Sequence, residues 1–176
     1  MKYQILIISF FIIVLSAEAQ DTNSYGRSAA SLIGTYLSDA DSIRFDDFWM
    51  YDGGGFLLED DGLYKGKVFA VGYWNSKDHT FRIFCRIVLV YGSRKNLVTD
   101  VLQLPKTELN GYHIVEQSCL TDKWDPEIIA LVKDAKNNPE YFHIIKKAWR
   151  ANRKTGKFEK IPARKVKKCG NESDGI

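Results

Sequence analysis

The sequence lacks the short signatures that mark common catalytic sites. No Gly-x-Ser-x-Gly turn presents a nucleophilic serine. No Gly-x-Gly-x-x-Gly pattern opens a helix, and no Gly-Lys-Ser/Thr follows Gly53-Gly54-Gly55. That glycine run therefore reads as a loose loop and not as a phosphate cradle. Neither His-Glu-x-x-His nor Cys-x-x-Cys occurs, and His79, His113 and His143 fall in separate segments, so no metal and no cofactor are expected. Asp39, Asp41, Asp46 and Asp47 lack the alternate spacing, central glycine and closing glutamate of a calcium loop, which makes them a solvated acidic surface. No catalytic residue is assigned. Collagen-like, coiled-coil and multi-span membrane patterns are missing too. With 45% hydrophobic and 27% charged residues, disorder along the whole chain is excluded.

What is present begins with an apolar leader. Lys2 precedes an uncharged stretch from Tyr3 to Ala17, followed by Ala17-Glu18-Ala19 ahead of Gln20. This three-part layout predicts a signal peptide over 1–19, leaving 20–176 as a single domain. The stretch is short for a membrane span, which needs about 20 apolar residues. No later segment is long enough either. The expected destination is the periplasm or the exterior of the cell, with no membrane contact once the leader is removed.

Export places the three cysteines, Cys85, Cys119 and Cys169, in surroundings where a disulfide can form. Three single pairings are possible. In the run Phe81 to Leu89, alternation sets Cys85 on one face with Phe81, Ile83, Ile87 and Leu89, as a small buried apolar residue. Cys119 ends a predicted strand and Cys169 lies near the C-terminus, so Cys119–Cys169 is the expected bond. Three free thiols are the alternative.

The coarse pattern predicts a helix over Gly26–Leu37, with Ser24 or Ser28 as its cap. Strands follow over Lys67–Trp74, Thr80–Tyr91, Leu97–Leu104 and Tyr112–Ser118, joined by short turns. Short turns favour an antiparallel meander, because parallel pairing needs long crossovers. Asp125-Pro126 and Asn138-Pro139 each read as a helix start. Ile128, Ile129, Leu131, Val132 and Ala135 would form the first apolar stripe; Tyr141, Ile144, Ile145, Ala148 and Trp149 would form the second. Phe158–Ile161 and Val166–Cys169 read as short strands. The expected class is α+β: a meander of about four to six strands with helices packed on one face, in a cystatin-like or NTF2-like arrangement.

Charge is divided along the chain. Asp39 to Gly62 is acidic with Arg44 as its one cation, whereas Lys146 to Lys168 carries eleven Lys or Arg against Glu159. The candidate basic interaction surface is Lys146, Lys147, Arg150, Arg153, Lys154 and Lys157, suited to a protein or polyanionic envelope partner. Trp149 and Phe158 interleave with these cations as base-stacking aromatics would. Export argues against nucleic acid. The bland alternative is a solvated face, offset by the chain's own acidic segment.

Asp125 to Val132, the run Lys147-Ala148-Trp149-Arg150-Ala151-Asn152-Arg153-Lys154-Thr155-Gly156-Lys157-Phe158-Glu159-Lys160-Ile161, and Val166 through Glu172 resemble small exported bacterial proteins of uncharacterised function. In those, one cysteine precedes the first segment and another stands just before Asn-Glu. Cys119 and Cys169-Gly170-Asn171-Glu172 occupy similar places here, with one additional glycine. The resemblance supports the Cys119–Cys169 bond and implies no activity. The functional expectation is a non-catalytic binding module of inhibitor or immunity type. The alternatives are a small exported hydrolase or a pocket protein for a small apolar ligand.

Overall fold

The computed structural model describes residues 29–37, 54–58 and 67–171. The leader, Ser24, Ser28, the acidic residues Asp39, Asp41, Asp46, Asp47, Asp52, Glu59, Asp60 and Asp61, and the Asn171-Glu172-Ser173 sequon beyond its first residue lie outside the described residues.

Strands β1 (Tyr36–Leu37), β2 (Gly54–Leu58), β3 (Val68–Asn75), β4 (His79–Val90) and β5 (Ser93–Pro105) form one antiparallel sheet, in the order β1-β5-β4-β3-β2. Of the expected meander, β3 to β5 pair in sequence, but its fourth strand, β6 (Tyr112–Glu116), pairs in another sheet, and β2 joins in its place on the far side of β3. β6 (Tyr112–Glu116), β9 (Ile128–Lys133), β11 (Ile145–Asn152) and β12 (Lys157–Ile161) form a second sheet, ordered β12-β11-β9-β6. Four short strands, β7 (Cys119–Leu120), β8 (Trp124–Asp125), β10 (Tyr141–Phe142) and β13 (Lys168–Gly170), make a third, ordered β10-β13-β7-β8.

The α+β expectation is overturned. Among the described residues no helix reaches seven residues, and only short 3-10 turns occur, so neither a cystatin-like nor an NTF2-like arrangement applies. The physical reason lies in the second sheet, which is covered on both sides. Its Ile129, Leu131, Trp149 and Ala151 pack against Leu58, Phe69, Val71, Phe84 and Leu104 of the first sheet. Ile128, Ala130, Val132 and Ala148 face the other way, onto Cys119, Phe142, Val166 and Cys169. All five residues from Ile128 to Val132 are fully buried. A strand covered on both faces is apolar at every position, so it also satisfies a helical stripe. Each fully buried aliphatic side chain contributes about 1.5–3 kcal/mol, enough in sum to override local helix preference.

The two helix-start signals have a similar explanation. Asp125 Oδ1 accepts the Glu127 backbone N–H at 3.0 Å. That is the same side-chain-to-backbone bond an N-cap makes, here closing a turn into β9. Asn138 sits at φ 42° in the turn before β10, not at the head of a helix. The segment from Tyr141 to Trp149 is consequently β10 and most of β11. In the predicted first helix, Ala29–Leu32 is a single 3-10 turn and Tyr36–Leu37 joins β5. Leu32 and Leu37 seal the outer face of the first sheet over Phe81, Ile83, Cys85 and Val98. The glycine run is not a loose loop where described: Gly54 and Gly55 pair with Tyr73 and Gly72. A Cβ on Gly55 would stand 2.8 Å from the Val71 carbonyl oxygen, so only glycine permits this strand approach.

Candidate functional site

The third sheet is held by its cysteines. Cys119 and Cys169 lie opposite each other on β7 and β13 and are joined as a disulfide, with both residues fully buried. Strands of two or three residues have little hydrogen bonding of their own. The covalent link and the Phe142, Val166 and Val132 cluster beneath fix their positions. Cys85 is the free thiol among them. It is buried with Phe81 and Ile83 as expected, and burial pushes its thiol up to about 12, which removes it as a nucleophile at neutral pH. Leu89, expected on the same buried face, is exposed.

Because Cys119, Phe142 and Cys169 point inward, their strand neighbours point out. Trp124 on β8 pairs with Leu120, which pairs with Lys168 on β13. Lys168 Nζ stands 3.3 Å from the Tyr141 ring centroid and 5.6 Å from that of Trp124. The two rings are 6.2 Å apart and inclined by 32°. An ammonium over the Tyr141 ring and within reach of the Trp124 ring is a cation–π arrangement, of about 0.5–1 kcal/mol where exposed. Trp124 is 48% exposed, an unusual state for the largest apolar side chain. Exposed Lys123 and Lys167 adjoin this face, and Lys167 Nζ reaches Asp122 at 3.7 Å, a screened surface contact.

The six cations read from the sequence do not form one free patch. Arg153 is buried, and its Nε donates to Glu127 Oε1 at 2.5 Å. Arg150 pairs with Asp125 at 2.5 Å and approaches Glu127 at 3.8 Å. Lys147 meets Glu108 at 2.5 Å, while Lys146 donates to the Glu108 carbonyl and lies 4.4 Å from the Tyr112 ring centroid. Lys154 and Lys157, in and after the β11–β12 turn, are exposed. The neutralising acids among the described residues are Glu108, Asp125 and Glu127, which the sequence pattern had not matched to these cations. Trp149 is buried in the core and Phe158 packs against it, so neither is placed for stacking with a ligand. The sequence reading missed Trp124, Tyr141 and Lys168. The one local signal was a tryptophan among Thr121, Asp122 and Lys123, flanked by charge and outside any apolar period.

A shallow cleft of about 560 Å³ lies near the other end of β6 and β10, lined by His113, Ile114, Asp134, Asn138, Phe142 and Asn171, among others. His113 Nδ1 is 2.7 Å from Asp134 Oδ1, and its ring meets Phe142 edge-on at 4.6 Å. No serine, threonine or cysteine lines this cleft. Among the described residues, no group of three His, Cys, Asp or Glu side chains could hold a metal, and no helix is long and apolar enough to cross a membrane. In comparisons with protein families, curated proteins and solved structures, the chain matched none.

Proposed function

We propose that this chain is an exported binding module, of inhibitor or immunity type, acting in the periplasm or outside the cell. Its partner is an acidic protein or a polyanionic component of the envelope. The supporting observation is the half-exposed Trp124 beside Tyr141 and Lys168, on a small sheet clamped by a disulfide. Tryptophan, tyrosine and cations are the residues that concentrate binding energy at protein interfaces. A rigid platform lowers the ordering cost of association. The disulfide suits an oxidising compartment, and the lysines favour an acidic partner whose encounter weakens with salt.

The test is retention of a partner from a cell-envelope extract on the immobilised chain. Salt-eluted retention is expected for the native chain. Trp124→Ala is expected to weaken it about 30-fold, equivalent to a hot-spot loss of about 2 kcal/mol. Equal retention by the variant, or none at low salt, would reject the proposal. A small hydrolase is the second reading, and it rests on the His113–Asp134 contact, which could orient an imidazole as a general base. Hydrolysis of a model ester by the native chain and not by His113→Ala would favour it.

A further inference from the structure

The β4–β5 hairpin extends past the described ends of its neighbours. The last β3 residue along it, Val68, pairs with Ile87, and β1 ends opposite Asn96. From Val88 to Lys95 the hairpin strands have only each other as partners among the described strands. At about 3.3 Å per residue, this two-stranded projection is roughly 10 Å long. Its turn is Tyr91-Gly92, with φ 50° and 77°. Both central residues at positive φ make a primed hairpin turn, where Asn, Asp or Gly normally precedes the glycine. Tyrosine is sterically disfavoured there. It is also fully exposed, and Leu89 beside it is 74% exposed. Local strain and an aromatic ring left in water, at one position, point to a use for that ring.

Among the described residues, charge at this end has one sign. From His79 to Thr99 the sequence has no Asp or Glu, but has Arg82, Arg86, Arg94 and Lys95. Arg82 is engaged with Glu116. Arg86 and Arg94 line a cleft of about 430 Å³ with Lys67, over Val68, Ile87 and Leu89. The Arg86 Nε is buried with no hydrogen-bond partner. A buried donor left unmade costs about 1–3 kcal/mol.

We propose that this hairpin tip docks on an anionic lipid surface, with Tyr91 and Leu89 entering the headgroup layer and Arg86, Arg94, Lys95 and Lys67 holding phosphates around them. A convex apolar tip inside a cationic collar cannot be covered by a flat partner face. It does match an interface into which apolar groups penetrate about 5–10 Å beneath a charged layer. Tyrosine is favoured at that depth, and each cation near such a surface adds about 1 kcal/mol. This proposal departs from the expectation of no membrane contact after leader removal, and a tip of this size spans nothing. The inference is independent of the Trp124 platform.

The experiment is co-sedimentation of the purified chain with vesicles of phosphatidylcholine alone, or of phosphatidylcholine mixed with phosphatidylglycerol. Binding is expected on the mixed vesicles only, and it should fall as salt is raised. Tyr91→Asn suits the turn better, so it should preserve or raise stability. Combined with Leu89→Ser it should weaken vesicle binding about tenfold or more. Arg94→Glu with Lys95→Glu should abolish it. An apolar leader retained on the chain would be common to all variants and could not produce these differences. Equal binding to both vesicle types, or an undiminished Leu89→Ser/Tyr91→Asn variant, would overturn the proposal. So would preferential binding of soluble polyphosphate that ignores those two substitutions, since that would make the cleft a simple polyanion site.

Discussion

Breaking the Cys119–Cys169 bond should cost the protein a large share of its stability. The two residues are 50 apart in sequence and close a loop holding β8 to β12. In the chain-entropy account, that cross-link restricts the unfolded ensemble by about 4 kcal/mol. Domains of this size are stable by about 5–15 kcal/mol, so the loss is decisive. Both cysteines are also fully buried in the second core cluster. Replacing them with alanine adds a packing loss of about 1–2 kcal/mol, whereas reduction leaves the sulfur atoms in place. Urea titrations of oxidised native, reduced native and Cys119→Ala/Cys169→Ala chains separate the two terms. The expected order of midpoints is oxidised, then reduced, then the double variant. The third sheet should loosen first, because its two- and three-residue strands depend most on the link, and Trp124 fluorescence would register that loosening. A reduced chain within about 1 kcal/mol of the oxidised one would refute the loop argument. Three alkylatable thiols in native material would refute the pairing itself.

Two further outcomes follow from buried ionisable groups. Arg82 on β4 and Glu116 at the end of β6 join the first two sheets, with side chains only 11% and 10% exposed. Glu116→Gln should destabilise the fold by about 3 kcal/mol with little dependence on salt, whereas Arg82→Met with Glu116→Leu should come within about 1 kcal/mol of native in urea melts. A loss below about 1 kcal/mol for Glu116→Gln would show the pair to be incidental. The buried Cys85 thiol stays protonated in the folded state up to about pH 12, while its ordinary value is 9.0. A raised folded value means the contribution is complete below pH 9 and falls as the pH climbs toward 12, because the unfolded chain releases its proton first. The stability difference between native and Cys85→Ala should therefore shrink by about 1.4 kcal/mol per pH unit in that window. A difference independent of pH would contradict the burial.

β3, β4 and β5 were legible because they are rich in β-branched and aromatic residues and because Gly92 and Pro105 interrupt the run. The β9 segment was not. Ile128 to Val132 is apolar throughout, since one side serves the first sheet and the other serves the disulfide-bonded third sheet. That second cover is made by residues 119–125, 141–142 and 168–170, which no local window joins. The disulfide was the one clue to this long-range closure, because it joins β7 and β13 of the covering layer. The same reasoning explains the charges. Once β11 is a strand between two layers, its cations cannot share one helical face. Arg150 and Arg153 turn to the acids of the β8–β9 turn, Lys147 turns to Glu108, and the exposed cation–aromatic contact arises instead from three strands distant in sequence. A run of like charge therefore locates a binding face only after the layers are known, because each buried strand edge claims part of that run for its own neutralisation.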